Sequence, residues 1–415
     1  MKRVMPVTVA VAVLAMSLGA CAGQAHSSRG QIQISAPAAL ADQPIDVSVT
    51  GLAPGQQVTI SARSDDAAHI VWRSQATFTA GSDGTVNLSS AKAADGSYTG
   101  TDGMGLFWSM TTDPTVTVAN TYFQPAPPQD KPAYPVLLTV TSHGRRLASR
   151  TVTRTWMAPG ETAKVLTPRA DGVAGVLFLP PPGTPRHPGV LIFGGAEGGM
   201  NYTDTAALLA AHGYPALTVA YFGWPGLPGS LTNIPLEYFV TAGRILARQP
   251  GVDPAHLLAM GYSRGSEAAL LLAEHFPGLF HGAVVYSPSA YVNFSEADLK
   301  FNDSAPAWTL GGKGIWPAPI PMRHIIGPVL AIAGDSDQIW NSEGAATQIA
   351  SQLDLAGSTY PHHALIYLNA GHGVGTFPYL PIDDGMLQAL GGTRAGDVAA
   401  QRASWAAVLA ELARL

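Results

Sequence analysis

The sequence predicts a protein of the α/β class in which a doubly wound sheet follows an all-β, immunoglobulin-like sandwich. Three observations lead to this prediction. Residues 31–156 contain short segments that alternate apolar and polar side chains, as antiparallel strands of a sandwich do. Residues 157–415 instead alternate short apolar runs with helical patterns, which is typical of a parallel sheet covered by helices. A serine between two glycines, Ser263, joins one of these runs to a helix.

Residues 1–21 are predicted to be a targeting segment. Lys2 and Arg3 precede an apolar run, Met5 to Leu18, that is too short to span a bilayer in the usual way. The run ends at Leu-Gly-Ala-Cys, which resembles the lipobox of a bacterial lipoprotein signal. We therefore expect Cys21 to be lipidated and to hold an exported protein at a membrane surface of the cell envelope. An ordinary cleaved signal, giving a secreted or periplasmic protein, is the alternative.

The composition excludes several classes of function. Apolar residues make up 47% of the chain and charged residues 12%, with a formal net charge of −5, so a nucleic-acid partner is not expected. Because Cys21 is the single cysteine, disulfides and cysteine zinc sites are not expected either. The sequence implies neither a cofactor nor a metal.

The sandwich is predicted to begin after a flexible tether at residues 22–30. The clearest strand patterns are Ile45–Val49, Val58–Ala62, Thr115–Val118 and Val136–Val140. Turn signals such as Ser82-Asp83-Gly84 separate these segments, and the Pro-rich stretch from 125 to 135 is predicted to be a loop. Ala158-Pro159-Gly160 marks the expected boundary. We expect this domain to pack against and shape the second one.

The second domain is predicted to hold seven strands and at least three helices. The expected strands are Gly175–Leu179, Gly189–Phe193, Ala216–Ala220, Leu257–Met260, Gly282–Tyr286, Val329–Ala333 and Ala364–Leu368. The expected helices are Thr205–His212, Leu236–Arg248 and Glu267–Glu274. Asp204 is the predicted N-cap of the first helix.

Gly261-Tyr262-Ser263-Arg264-Gly265 matches Gly-x-Ser-x-Gly, the nucleophile elbow of α/β-hydrolases. The motif alone is weak in a chain with 45 glycines, but here it lies between a predicted strand and a predicted helix. The two glycines permit a strained turn that presents the serine hydroxyl. We therefore predict that Ser263 is a nucleophile.

A serine hydroxyl needs a base and an acid that orients the base, and in this fold both follow the serine in the chain. The strand ending at residue 333 leads into Gly-Asp-Ser-Asp, where Asp337 is the preferred acid and Asp335 the alternative. A turn capped by both aspartates is the non-catalytic interpretation. His372, flanked by glycines after the last strand, is the predicted base. His362 and His363 lie at the other end of that strand.

The oxyanion hole requires two backbone N–H groups. One is expected from Arg264, directly after the nucleophile. The other is expected from the glycine-rich loop 193–199, at Gly195 or Ala196. A phosphate-binding loop would need a lysine and Ser or Thr after the glycines, and residues 200–202 are Met-Asn-Tyr instead.

The chain resembles the acyl-CoA thioesterases and the bile acid-CoA:amino acid N-acyltransferases, which pair a β-sandwich with an α/β-hydrolase domain. The resemblance covers nearly all of the chain after the tether. It rests on residues 51–59, 103–108, 220–223, 236–239, 261–267, 334–343, 370–372 and 377–379. It implies a triad of Ser263, Asp337 and His372.

The resemblance implies a serine hydrolase that cleaves a thioester, such as a fatty acyl-CoA, through an acyl-enzyme. The acyltransferase members use cysteine where this chain has Ser263, which favours hydrolysis over conjugation to an amino acid. Arg264-Gly265-Ser266 and Gly373-Val374-Gly375-Thr376 depart from the usual family pattern. An exported protein would rarely meet acyl-CoA, so a carboxylesterase acting on envelope or xenobiotic esters is the alternative. A non-catalytic binding lipoprotein is a further alternative.

Residues 290–326 contain Trp308, Trp316 and several prolines. This stretch is expected either to form a lid that shapes an acyl pocket or to be an ordinary loop.

Overall fold

The structure is a computed structural model that describes residues 1, 30–113, 122–295, 305–375 and 377–415. Three predicted features lie outside the described residues: the strand Thr115–Val118, the expected targeting segment with Cys21 and almost all of the expected tether. None of the described helices combines the length and the apolar character that crossing a membrane requires.

The first part of the chain forms two β-sheets. Its elements are β1 (Gln31–Ile34), β2 (Ala38–Leu40), β3 (Val47–Thr50), β4 (Gln57–Asp65), β5 (Val71–Thr79), β6 (Val86–Asn87), β7 (Asp95–Gly96), α1 (Gly105–Trp108), β8 (Thr111–Thr112), β9 (Ala133–Ser142) and β10 (Arg145–Thr155). One sheet has the order β1-β3-β6 and the other the order β2-β10-β9-β4-β5-β7, with β8 paired to β5. Alternate residues of β4 are buried, as the period of a half-buried strand requires. The expected loop 125–135 ends earlier than predicted, because β9 begins at Ala133.

The second part of the chain forms an eight-stranded sheet with helices on both faces, together with a separate three-stranded sheet. Its elements are β11 (Thr162–Leu166), α2 (Pro168–Asp171), β12 (Ala174–Leu179), β13 (His187–Phe193), α3 (Thr203–Ala211), β14 (Ala216–Ala220), β15 (Ile234–Pro235), α4 (Leu236–Ala247), β16 (Val252–Tyr262), α5 (Arg264–His275), β17 (Gly282–Tyr286), β18 (Trp308–Leu310), β19 (Lys313–Ile315), β20 (Val329–Gly334), α6 (Ser342–Leu355), β21 (His362–Tyr367), α7 (Asp384–Leu390) and α8 (Arg394–Leu412).

The order of the eight strands is β11-β12-β14-β13-β16-β17-β20-β21. From β14 to β21 neighbouring strands are parallel, so the predicted α/β-hydrolase fold is confirmed. The sheet is mixed, however, because β12 pairs antiparallel with both β11 and β14. The link between β11 and β12 holds only the short helix α2, and a parallel pair would need a much longer crossover.

The sandwich and one face of the sheet share a continuous apolar core. Buried residues of α3 and α8 belong to the same cluster as the interior of the sandwich, whereas α4, α5 and α6 cover the other face. At the contact, the Trp156 ring lies 5.6 Å from that of Phe377. Asp42 of the sandwich accepts a 2.8 Å hydrogen bond from the indole of Trp405 and lies 2.5 Å from Nε2 of His212. The sandwich therefore supports the chain that follows His372.

One local prediction is wrong. Helix α3 begins at Thr203 after Tyr202, whose φ of 60° turns the chain into the helix, so Asp204 lies inside the first turn and is not the N-cap. In the stretch expected to be a lid or an ordinary loop, Trp308 is fully buried in β18 and Trp316 is 56% exposed, while residues 296–304 lie outside the described residues.

Candidate active site

Ser263 occupies the sharp turn between β16 and α5, with φ 48° and ψ −118°. L-amino acids rarely adopt a positive φ, so this backbone is strained, as a nucleophile elbow requires. Both flanking glycines are needed for close packing. A Cβ on Gly261 would lie 2.2 Å from the carbonyl oxygen of Gly265, and a Cβ on Gly265 would lie 2.3 Å from that of Gly194. The Ser263 N–H donates a 2.9 Å hydrogen bond to the carbonyl of Tyr286, which ties the elbow to the end of β17.

The structure brings His372 and Asp337 together. Nδ1 of His372 lies 2.8 Å from Oδ2 of Asp337, and both side chains are at least nine-tenths buried. Oδ1 of Asp337 accepts hydrogen bonds from the N–H groups of Ile339 at 2.8 Å and Trp340 at 3.3 Å. Burial raises the pKa of Asp337. The hydrogen bond from His372, the positive charge of the His372 ring and the Ile339 N–H lower it more, so the pKa lies below its usual value. The carboxylate is therefore held ionised beside the imidazole.

Asp335, the alternative acid, has a different role. Its Oδ1 accepts hydrogen bonds from the N–H of Asn369 at 2.7 Å and the hydroxyl of Ser336 at 2.8 Å. These contacts join the loop after β20 to the loop after β21. Asp335 is exposed, and its carboxylate bonds to these loop groups, whereas the ring of His372 bonds to Asp337.

The two histidines that the sequence places at the other end of the last strand lie away from this site. His362 and His363 are the first residues of β21, at the opposite end of the strand from His372. The ring of His362 bonds to Asp354 at 2.9 Å and to the carbonyl of Tyr360 at 2.8 Å.

Two residues that the sequence analysis missed hold His372 in place. The buried hydroxyl of Ser287 donates a 2.7 Å hydrogen bond to the His372 carbonyl. The Trp340 indole donates to the Ser287 carbonyl at 3.0 Å, and its ring lies edge-on to the imidazole at 5.8 Å. Ser287 directly follows β17, and polar residues at that edge of a doubly wound sheet are a usable signal for a site.

The glycine-rich loop lies against the elbow. A Cβ on Gly195 would be 2.8 Å from Cβ of Ser263. The Gly195 N–H, one of the two alternatives for the second oxyanion donor beside Arg264, donates to both carboxylate oxygens of Glu197 at 3.0 Å. The N–H of Ala196, the other alternative, has no hydrogen-bond acceptor among the described residues.

The Arg264 side chain belongs to a buried network behind the elbow, while its backbone begins α5. Its Nε donates to Glu267 at 2.8 Å. Glu267 also accepts hydrogen bonds from the Trp308 indole at 2.9 Å and from the Asn293 amide at 2.9 Å. Burial raises the pKa of Glu267, and Arg264 and the neutral donors oppose this effect. The network fixes the first turn of the helix behind Ser263.

These groups supply what acyl transfer needs. A serine on a strained turn lies beside a loop of backbone donors, and a histidine is paired with a shielded carboxylate. Among the described residues, His, Cys, Asp and Glu side chains do not gather in groups of three or more that are placed to hold a metal ion.

Comparison with known proteins gives matches to both parts of the chain. The family profile described as "Acyl-CoA thioester hydrolase/BAAT N-terminal region" matches residues 42–167. The one described as "BAAT / Acyl-CoA thioester hydrolase C terminal" matches residues 309–413.

Individual relatives match over most of their length. The peroxisomal succinyl-coenzyme A thioesterase of Mus musculus is 30% identical over 368 residues, which cover 82% of this chain and 84% of the relative. Acyl-coenzyme A thioesterase 6 of Mus musculus is 29% identical over 363 residues, with the same shares of 82% and 84%. Among solved structures, a putative dienelactone hydrolase from Klebsiella pneumoniae covers 61% of this chain and 99% of its own, at 17% identity and a TM-score of 0.44.

Proposed function

Since the chain belongs to the acyl-CoA thioester hydrolase/BAAT family and is a thioester hydrolase with the α/β-hydrolase fold, we propose that it acts through Ser263, His372 and Asp337. The proposed substrate is an acyl-CoA or a similar thioester, and the intermediate is an acyl-enzyme. One observation carries the proposal. His372 is bonded through Nδ1 to the shielded Asp337 at 2.8 Å, at the sheet edge where Ser263 has its strained conformation.

In the proposed first step, the Ser263 hydroxyl attacks the thioester carbonyl while the ring of His372 takes its proton. Asp337 stabilises the imidazolium. The C–S bond then breaks, and the leaving sulfur takes the proton from His372 and departs as the thiol, which leaves the imidazole neutral for the second step. A thiol of pKa about 8.5 needs little protonation to leave, so a thioester is less demanding than an amide. In the second step His372 takes a proton from water, which attacks the acyl-enzyme. The acid is released and the proton returns to Ser263.

The test uses fluorophosphonate labelling and turnover together. The wild-type protein is expected to be labelled once per chain, and Ser263→Ala to lose labelling while keeping its fold. The variant should also lose roughly 10³-fold or more in kcat. Near-normal turnover in Ser263→Ala would exclude the proposal. Failure of the wild-type protein to be labelled or to turn over any ester would favour a non-catalytic binding protein.

Palmitoyl-CoA and p-nitrophenyl esters distinguish the leaving group. Because the relatives are acyl-CoA thioesterases, palmitoyl-CoA or another acyl-CoA should give the higher kcat/KM. A clear preference for the oxygen esters would favour the carboxylesterase alternative. The predicted targeting segment, which ends at Leu-Gly-Ala-Cys, supports that alternative, because an enzyme exported by it would be separated from acyl-CoA.

We also propose that the protein is an exported lipoprotein of the cell envelope, anchored through Cys21. The basic start, the short apolar run and the position of Cys21 support this proposal. The tether at 22–30 would then let the enzyme reach substrates near the membrane surface.

A further inference from the structure

Tyr221 lies directly after β14, and its ring is almost completely buried behind the glycine-rich loop. Its hydroxyl lies 2.9 Å from the carbonyl oxygen of Gly194 and 2.8 Å from that of Gly195. The hydroxyl carries one proton, so the two carbonyls share one donor. Two consecutive peptide units are therefore held by the same side chain.

Holding these carbonyls also sets the direction of two N–H groups. A trans peptide unit is planar, and its N–H points away from its C=O. The structure contains no cis peptide bond among the described residues. The N–H groups of Gly195 and Ala196 belong to the two units whose carbonyls face Tyr221. They therefore point to the other side of the loop, as the N–H groups of an anion-binding concavity do.

The candidate nucleophile Ser263 and the carboxylate of Glu197 both lie on that other side. The Gly195 backbone closely approaches Ser263 there. The Glu197 carboxylate accepts the Gly195 N–H through both oxygens at 3.0 Å, and the Asn201 amide lies 3.3 Å from one of them. Glu197 is exposed, so its carboxylate can leave the Gly195 N–H and be hydrated by water.

We propose that Tyr221 is a positioning residue for the oxyanion hole and that Glu197 occupies this hole until the substrate carbonyl displaces it. This inference rests on the proposed function, because it takes Ser263 as the nucleophile. The negative oxygen of the tetrahedral intermediate replaces the Glu197 carboxylate at the Gly195 N–H, so no further reactant is needed.

Tyr221→Phe tests the first half of the proposal. Phenylalanine fills the same space, so thermal stability should change little, whereas the loop loses its donor. We expect kcat to fall by about 10- to 100-fold with KM nearly unchanged, somewhat less than for loss of an oxyanion donor itself. Binding of a trifluoromethyl ketone, which forms an oxyanion on the serine, should weaken by the same factor.

Tyr238→Phe is the matched control. The Tyr238 hydroxyl also bonds to backbone groups near β14, the carbonyl of Ala220 and the N–H of Ala174, but not to the oxyanion loop. The Tyr238→Phe variant should therefore keep the wild-type kcat and the wild-type affinity for the trifluoromethyl ketone. Equal effects of the two variants, or a change in KM alone for Tyr221→Phe, would overturn the positioning role.

Glu197→Ala and Glu197→Gln test the second half. Removing the competing carboxylate should tighten trifluoromethyl ketone binding several-fold in Glu197→Ala. The affinity of Glu197→Gln for the trifluoromethyl ketone should lie between those of Glu197→Ala and the wild-type protein. Asp130→Asn removes an exposed carboxylate on the sandwich and should have no effect. Weaker or unchanged binding in Glu197→Ala would overturn the displacement.

Ser263→Ala separates this inference from the proposed function. If Ser263→Ala keeps full turnover, the proposed function fails. If it is inactive while Tyr221→Phe and Glu197→Ala behave like the wild-type protein, only the present inference fails.

Discussion

The carboxylate of Asp397 accepts a 2.7 Å hydrogen bond from the N–H of Gly371, the residue before His372. Asp397 lies in the first turn of α8 and is 2% exposed, and its Oδ2 has no hydrogen-bond partner among the described residues. The pKa of Asp397 is raised to about 6. Burial is the main cause and the negative charge of Asp337 adds to it, whereas the Gly371 N–H and the charge of Arg394 lower the pKa. A second buried carboxylate thus lies behind the loop that carries the candidate base.

This carboxylate should make stability depend on pH. Its raised pKa means that the folded protein binds the proton more tightly than the unfolded chain. The free energy of unfolding should therefore fall as pH rises from about 4 to about 6, by up to about 3 kcal/mol from this group. Asp397→Asn keeps an acceptor for Gly371 but cannot ionise, so it should lose that part of the pH dependence. Urea unfolding of both proteins between pH 4 and 7 measures the difference, and equal slopes would contradict the prediction.

Asp337→Asn should lower kcat far more than Asp335→Asn. The first change removes the charged partner of His372 and can cost up to about 10⁴-fold in kcat. The second removes a loop contact with Asn369, so a loss of less than about 10-fold is expected, as for an indirect effect on geometry. Steady-state kinetics at one pH, with thermal unfolding as the check on folding, measures both. The reverse ranking would assign the orienting role to Asp335.

Ser287→Ala should weaken the support of His372. The buried hydroxyl donates to the His372 carbonyl, and its loss leaves that carbonyl without this donor. We expect a loss of about 1–3 kcal/mol in the free energy of unfolding, together with a several-fold lower kcat. Ser404→Ala is the control, because Ser404 is equally buried and its hydroxyl donates a long, 3.4 Å hydrogen bond to the Gln401 carbonyl and none to His372. Equal destabilisation and equal kcat in the two variants would show that Ser287 has no special relation to His372.

Much of the second domain could be predicted because buried parallel strands are apolar throughout. The predicted limits of β14 and β17 agree with the structure. The rule that functional groups follow strand ends also selected Asp337 and His372, which the structure brings together. The assignment of catalytic roles to these residues stays a prediction.

What the sequence could not predict depends on tertiary contacts. The sequence left Trp308 in either a lid or an ordinary loop, whereas its burial in β18 and the bond of its indole to Glu267 depend on contacts with distant parts of the chain. The contact between Glu197 and the Gly195 N–H depends on the backbone conformation of the glycine-rich loop. That conformation could not be predicted, because loops have no periodic sequence pattern. Asp397 is far in sequence from Gly371, so their contact needs the docking of α8.

The location of the protein gives the last prediction. If Cys21 is lipidated, the mature protein should partition into the membrane fraction, because a multiply acylated cysteine is held stably where one chain alone gives marginal anchoring. Cys21→Ser should release the protein or block its processing, whereas Ser27→Ala, in the tether, should leave it in the membrane fraction. Fractionation and mass spectrometry of the mature amino terminus measure both effects. Unmodified full-length protein in the cytoplasm would exclude lipidation, and it would remove the main argument against acyl-CoA as the substrate.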